Sequence, residues 1–150
     1  MAQKKPCIDY AYYYLSRFPK TEKELCAKLY EKKYTDHEVE SALILLKKDG
    51  YVDDEQFARM YLESEVIKKG KPLRNIRGKL LQKGIDSGLL AELVAEYDEE
   101  IQEGARLGIL REIDKLKARG VDGFDIAQKL VRKGYKIHQI KQALAEREED

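Results

Sequence analysis

Apolar residues along this chain recur at intervals of three and four, the spacing that lines one face of an α-helix. Strand signals are scarce. Runs of β-branched residues are absent, and Ala, Leu, Glu and Lys, all good helix formers, dominate. Prolines are confined to Pro6, Pro19 and Pro72. The pattern also repeats. The stretches ELCAKLYEKKYTDHEVESAL from Glu24, NIRGKLLQKGIDSGLLAELV from Asn75 and DIAQKLVRKGYKIHQIKQAL from Asp125 align without a gap. Leu25, Ile76 and Ile126 correspond, as do Leu29, Leu80 and Leu130, and Tyr34, Ile85 and Tyr135. Self-similarity at a period near fifty residues is the mark of a repeat architecture, in which each unit is too small to bury its own apolar face and neighbours complete it.

Each block predicts a helix, a tight turn and a second helix, preceded by a further helical stretch over Ile8 to Phe18, Glu55 to Ile67 and Ile101 to Arg119. The expected fold is therefore all-α: three tandem three-helix, helix-turn-helix-like repeats in an elongated, curved array. They span residues 8–50, 51–99 and 101–146, with 147–150 as a frayed acidic tail that Glu146 already begins. Gly84 and Gly134 stand where a left-handed residue closes a helix, whereas the first block has Lys33 there. Thr21 with Glu24, and Thr35 with Glu38, form capping boxes, and Asp53 with Gln56 marks the start of the second repeat's first helix.

Chemistry-bearing motifs are few. Cys7 and Cys26 make neither a CxxC pair nor a zinc spacing, so they read as idle thiols in a reducing compartment. His37 and His138 lack acidic or cysteine partners and are expected on the surface. No phosphate-cradling loop, nucleophilic triad or cofactor motif is present, so the chain is expected to be a binding protein and not an enzyme. The amino-terminal segment lacks the apolar run of a secretion signal, and no stretch is long enough to span a membrane, which points to the cytoplasm.

Net charge is only +1, although 38% of residues are charged, so any anionic partner must be met locally. Lys68, Lys69, Lys71, Arg74, Arg77, Lys79 and Lys83 fall in a stretch with no acid between Val66 and Ile85. A second acid-free stretch, from Ile126 to Ala145, carries Lys129, Arg132, Lys133, Lys136 and Lys141. Solvated lysines suit the last turn of a helix, but this density points to a nucleic-acid backbone or an acidic protein surface. Tyr10, Tyr12, Tyr13 and Tyr14 crowd the first helix, so at least one is expected to face solvent or a partner.

The string Gly50-Tyr51-Val52-Asp53-Asp54-Glu55-Gln56-Phe57-Ala58, with Gly50, Tyr51, Asp53, Asp54, Phe57 and Ala58 as its characteristic residues, resembles the signature of the RecX family of recombinase regulators. Leu15-Ser16-Arg17, Thr21 to Leu25, Lys48-Asp49-Gly50, Lys83-Gly84-Ile85 and Lys133-Gly134-Tyr135 agree, and the resemblance runs from about Ile8 to Ala145. Lys33 departs from it, as does the loop Phe18-Pro19-Lys20. The resemblance implies a protein that binds the RecA filament in its groove, around single-stranded DNA. Such a protein modulates, usually inhibits, ATP hydrolysis, strand exchange and filament growth in DNA repair and recombination. Asp53 and Asp54 are read as helix-start residues, because adjacent positions on a helix diverge by about 100° and do not converge on a ligand. Tyr51 and Phe57 are read as core or staple contacts. A monomer with weak direct DNA binding is expected, and a generic helical scaffold or a DNA-binding helical repeat is the alternative.

Overall fold

The computed structural model describes residues 4–149 and contains helices but no strand among them. Three helices build the first repeat: α1 (Cys7–Leu15), α2 (Glu22–Glu31) and α3 (Asp36–Lys48). The second holds α4 (Asp54–Tyr61), α5 (Leu73–Gln82) and α6 (Ser87–Glu96). The third holds α7 (Asp98–Ala118), α8 (Gly123–Lys133) and α9 (Ile137–Glu149). Both capping boxes form, Thr21 and Thr35 each accepting from the N–H three residues on while Glu24 and Glu38 reach back. Asp53 caps α4 by accepting from the Gln56 N–H at 3.0 Å.

The apolar stripes converge on three separate cores. Leu25, Leu29, Tyr34, Val39 and Leu46 are buried in the first, with Ala11 from α1. Ala58, Leu62, Val66, Ile76, Leu80, Ile85 and Leu90 fill the second, and Ile109, Ile113, Ile126, Leu130, Tyr135 and Ile140 the third. Val52 packs into the first core and Ile101 into the second. The cores thus reach a residue or two past the repeat borders read from the sequence.

The junctions between repeats share one design. The turn after α5 is left-handed at Gly84 (φ 93°), the turn after α8 at Gly134 (φ 119°), and the turn after α2 at Lys33 (φ 69°). A lysine in that conformation costs about 1 kcal/mol. The Gly84 turn sits on the start of α2, where the Thr21 hydroxyl donates to the Lys83 carbonyl and Lys23 Nζ to the Gln82 carbonyl at 3.1 Å. The Gly134 turn sits in the same way on the start of α5, where Asn75 Nδ2 donates to the Lys133 carbonyl at 2.7 Å.

Two departures from the sequence reading concern helix ends. After Tyr61, α4 continues as a π-helical segment (Leu62–Lys68), and the Lys69 N–H bonds the Ser64 carbonyl five residues back. The wider winding brings Gly70 against α7, where a Cβ on Gly70 would lie 2.7 Å from Gly108 Cα and 2.8 Å from the Gly104 carbonyl. Glycine is needed at this contact because two backbones touch. The expected frayed acidic tail is instead ordered through Glu149, Asp150 lying outside the described residues. Glu146 meets Arg106 at 2.7 Å and Arg147 meets Asp114 at 2.9 Å, so the end of α9 is tied to α7 by charge.

Leu80 is fully buried in the middle core. Leu80→Ala should lower unfolding free energy by about 2–5 kcal/mol, measured by denaturant titration, through lost transfer energy plus the cavity left behind.

Candidate functional site

Folding divides the basic residues into two sets. Lys69 and Lys71 lie 3.0 and 3.3 Å from the half-buried Glu65 carboxylate. Their two ammonium groups hold that carboxyl below the usual glutamate range, the Lys69 hydrogen bond contributing most. Lys83 pairs with Glu24 at 3.0 Å and Lys133 with Glu112 at 2.8 Å. These four positives are therefore opposed. Glu65 stands one residue before the acid-free stretch, but a helical turn brings it back onto Lys69, and Glu24 and Glu112 arrive from other helices. Lys68, Arg74, Arg77, Lys79, Lys129, Arg132 and Lys136 are exposed and have no carboxylate within ion-pair distance among the described residues.

Part of the second set converges. Arg74 and Arg77, on one face of α5, line a cleft of about 290 Å³ together with Lys136 from the turn before α9. Val66, Ile101, Ala105 and Tyr135 supply its apolar wall, and Gln102 and Gln139, themselves linked at 2.7 Å, close one side. Two basic runs that are sixty residues apart in sequence thus meet across the junction of the second and third repeats. The wall is rigid. The Tyr135 hydroxyl donates to the Gly70 carbonyl at 2.6 Å, and burial pushes its pKa up to about 12. Guanidinium groups over such a wall suit a phosphate or carboxylate partner that also offers apolar surface. Arg132 and Lys141 instead flank the exposed apolar residues Phe124, Val131 and Ile137 on the outer side of α8 and α9. Lys68, Lys79 and Lys129 do not line the cleft.

The signature residues build the first junction. Gly50 is left-handed (φ 79°) and ends α3. Asp53 caps its own helix, but Asp54 does not. Its carboxylate accepts the Glu22 N–H of α2 at 2.9 Å and so caps a helix of the preceding repeat. Burial raises the Asp54 pKa, against the pull of that N–H. Ala58 is fully buried, and Phe57 stacks on Tyr61 at 5.8 Å beneath the Lys83 ammonium. Tyr51 is 56% exposed and meets the Tyr12 ring edge-on at 5.0 Å. It is a surface aromatic, not the core contact expected.

One basic surface escaped the sequence reading. Lys4, Lys5, Lys32 and Lys33 surround Tyr10 and Tyr34 at the outer end of the first repeat. Lys4 Nζ lies 3.9 Å above the Tyr34 ring and Lys5 Nζ 4.8 Å above Tyr13. The crowding of tyrosines on α1 was the available signal, but the lysine pairs stand far apart in sequence and only the turn after α2 joins them. His37 and His138 are exposed, and no group of His, Cys, Asp and Glu suited to a metal occurs among the described residues. No helix is long and apolar enough to cross a membrane among those residues.

Two family models match, the RecX first three-helix domain over residues 7–44 and the RecX second three-helix domain over residues 53–93. The chain belongs to the RecX family. It is 31% identical over 134 residues to Regulatory protein RecX of Clostridium acetobutylicum, covering 85% of this chain and 62% of that protein. It is 30% identical over 121 residues to that of Clostridium perfringens strain 13, covering 77% of this chain and 56% of that protein. It therefore spans about three fifths of the length of these RecX relatives. The crystal structure of RecX from Lactobacillus salivarius superposes with a TM-score of 0.76 over 93% of each chain at 21% identity. A second crystal structure of regulatory protein RecX gives 0.71 at 24% identity, over 91% of this chain and 70% of that one. At these identities the superpositions establish the all-helical fold.

In this RecX chain Glu24 closes the Thr21 capping box and also pairs with Lys83 across the first junction, and its charge has a measurable consequence. Burial alone raises its pKa, but the Thr21 N–H and the Lys83 ammonium outweigh this and hold it below the usual value. A depressed carboxyl stabilises the fold above its unfolded pKa of about 4.3 and loses that contribution as pH falls through the folded value. Glu24→Gln should therefore be less stable near neutrality. Its melting temperature should fall less steeply than that of the wild type below about pH 4.5. Parallel pH profiles would place the Glu24 contribution elsewhere.

Proposed function

We propose that this chain regulates the RecA recombinase by lying in the groove of the RecA–DNA filament. There it favours one filament state and so slows ATP hydrolysis and strand exchange. The observation that carries this reading is the cleft at the junction of the second and third repeats, which Arg74, Arg77 and Lys136 line without a carboxylate opposing them. RecX family membership supplies the partner class, and the relatives bear the name of regulatory proteins. A bound protein shifts a filament equilibrium only by its differential affinity for the states. A tandem array suits that task because it touches neighbouring subunits at once and senses their spacing. The action is by binding, with no chemistry of its own, and takes place in the cytoplasm where the filament forms. The remaining exposed positives, Lys68, Lys79, Lys129 and Arg132, add long-range attraction to DNA or to acidic recombinase surface.

Added to RecA filaments on single-stranded DNA, the protein should lower the ATPase rate at near-stoichiometric amounts, and alone it should hydrolyse no nucleotide. Unchanged turnover at saturating protein would reject this function and favour a scaffold for some other partner.

Arg74→Glu/Arg77→Glu should weaken filament binding and relieve the inhibition. Titrations on bare oligonucleotide and on filament, at several salt concentrations, identify what the arginines meet. Loss on both, with a salt slope smaller by about one for each phosphate contact removed, marks a phosphate contact. Loss on the filament alone marks acidic recombinase side chains. No change on either would show that the cleft is a solvated face.

A further inference from the structure

Beside the basic cleft lies a second one of opposite charge, a space of about 460 Å³ between α7 and α9. Asp98, Glu99, Glu103 and Glu146 line it, against the Arg106 guanidinium and the His138 imidazole. Two of these acids take up the guanidinium, which meets Glu103 at 2.7 Å through one nitrogen and Glu146 at 2.7 Å through another. Asp98 and Glu99 are exposed and have no cation within ion-pair distance among the described residues. Side chains three and four apart on a helix share a face. That spacing puts Asp98, Gln102 and Arg106 on one side of α7, and Gln139, Gln142 and Glu146 on the facing side of α9.

The two clefts are neighbours, because Gln102 and Gln139 line both. The Gln139 amide donates to the Gln102 carbonyl at 2.7 Å, and this neutral pair is the divide. On one side Arg74, Arg77 and Lys136 stand with no acid among the lining residues; on the other stand the four carboxylates. Acids in the first turn of α7 also suit the helix dipole, as Glu100 does without lining either cleft. That role explains their charge but not their place beside the basic cleft.

We propose that Asp98 and Glu99 determine what the basic cleft accepts. They bar a continuous nucleic-acid strand and leave Arg74, Arg77 and Lys136 to a short run of carboxylates on a partner protein. A strand carries a negative charge at every nucleotide, so one seated on the arginines has further phosphates to place. Where it crosses the glutamine pair, those phosphates meet Asp98 and Glu99. Like charges set against each other suppress the wrong partner without any gain in affinity for the right one. A protein segment ends its charge after a few carboxylates and goes on with neutral groups. Such a segment fits the apolar wall of Ile101, Ala105 and Tyr135 and stops short of the acids. The proposal rests on the cleft being the surface that meets the filament, and assigns that contact to protein and not to DNA.

The test removes the barrier. Asp98→Asn/Glu99→Gln should bind oligodeoxythymidylate about threefold to tenfold more tightly than the wild type at low salt, an advantage that added salt diminishes. Affinity for RecA filaments should change less, so the preference for filament over bare strand should fall. Asp49→Asn/Glu92→Gln makes the same change in net charge on exposed side chains that line neither cleft, and should give no comparable gain. The gain must also act through the cleft, so adding Arg74→Glu/Arg77→Glu to Asp98→Asn/Glu99→Gln should abolish it. A merely structural role for the two acids would show as a lower melting temperature with no gain on the oligonucleotide. The proposal is overturned by that result, by an equal gain from Asp49→Asn/Glu92→Gln, or by a gain that survives the arginine reversal. Equal loss on oligonucleotide and filament when Arg74→Glu/Arg77→Glu is made in the wild type would overturn it too, because the cleft would then hold phosphate. If that reversal leaves filament binding intact, the proposed function fails and this proposal with it. If it weakens filament binding while the oligonucleotide gain is absent, only the role of the acids fails.

Discussion

Everything in this structure that is larger than one repeat depends on a helix-closing turn whose backbone carbonyls are satisfied by the repeat before it. A left-handed residue ends α5 and α8, turning the last carbonyls outward, and the start of the preceding repeat's second helix supplies donors for them. Buried polar backbone without partners is costly, so the turn and the donors specify the stacking register as well as stabilise it. The contact is close: a Cβ at Gly84 would lie 2.5 Å from Lys23 Cβ, and one at Gly134 would crowd the Asn75 amide at 2.8 Å. From it follows the placing of the cleft between the second and third repeats.

The RecX signature takes on a physical meaning in this setting. Asp53 and Asp54 look like a repeated residue, but one caps its own helix and the other caps α2 across the junction. Phe57 and Tyr61 roof the contact beneath Lys83, whose ammonium also binds Glu24. The string therefore describes a joint between repeats, which explains why it lies between the first and second units. Tyr51 alone among its aromatics faces water, against Tyr12.

Charge reads differently in the chain and in the fold. A run of positives looks continuous until Glu65, Glu24 and Glu112 are brought onto Lys69, Lys71, Lys83 and Lys133. What survives pairing is smaller and better placed. Arg74 and Arg77 stand on one helical face and Lys136 is added from the next repeat. The backbone of both arginines is fixed by a packed helix and not by a loop, so an anionic partner that fits the cleft has their side chains but no backbone to order.

The sequence by itself determined the helices, the threefold repeat, the capping residues and most of the core, because apolar period and cap chemistry act within one helical turn. Leu25, Leu80 and Leu130 needed no partner to be recognised as core, and all three are buried. The RecX resemblance was legible for the same reason, since its signature is a contiguous string. Tertiary structure alone decided what lies across a junction. It showed that Asp54 caps another repeat's helix, that α4 winds into a π-helical segment to let Gly70 meet Gly104 and Gly108, and that α9 stays helical through Glu149 on ion pairs to α7. It also decided which lysines are free. Coulomb interactions depend on distance in space, and the partners of Lys83 and Lys133 come from other helices, where no periodicity in the chain announces them.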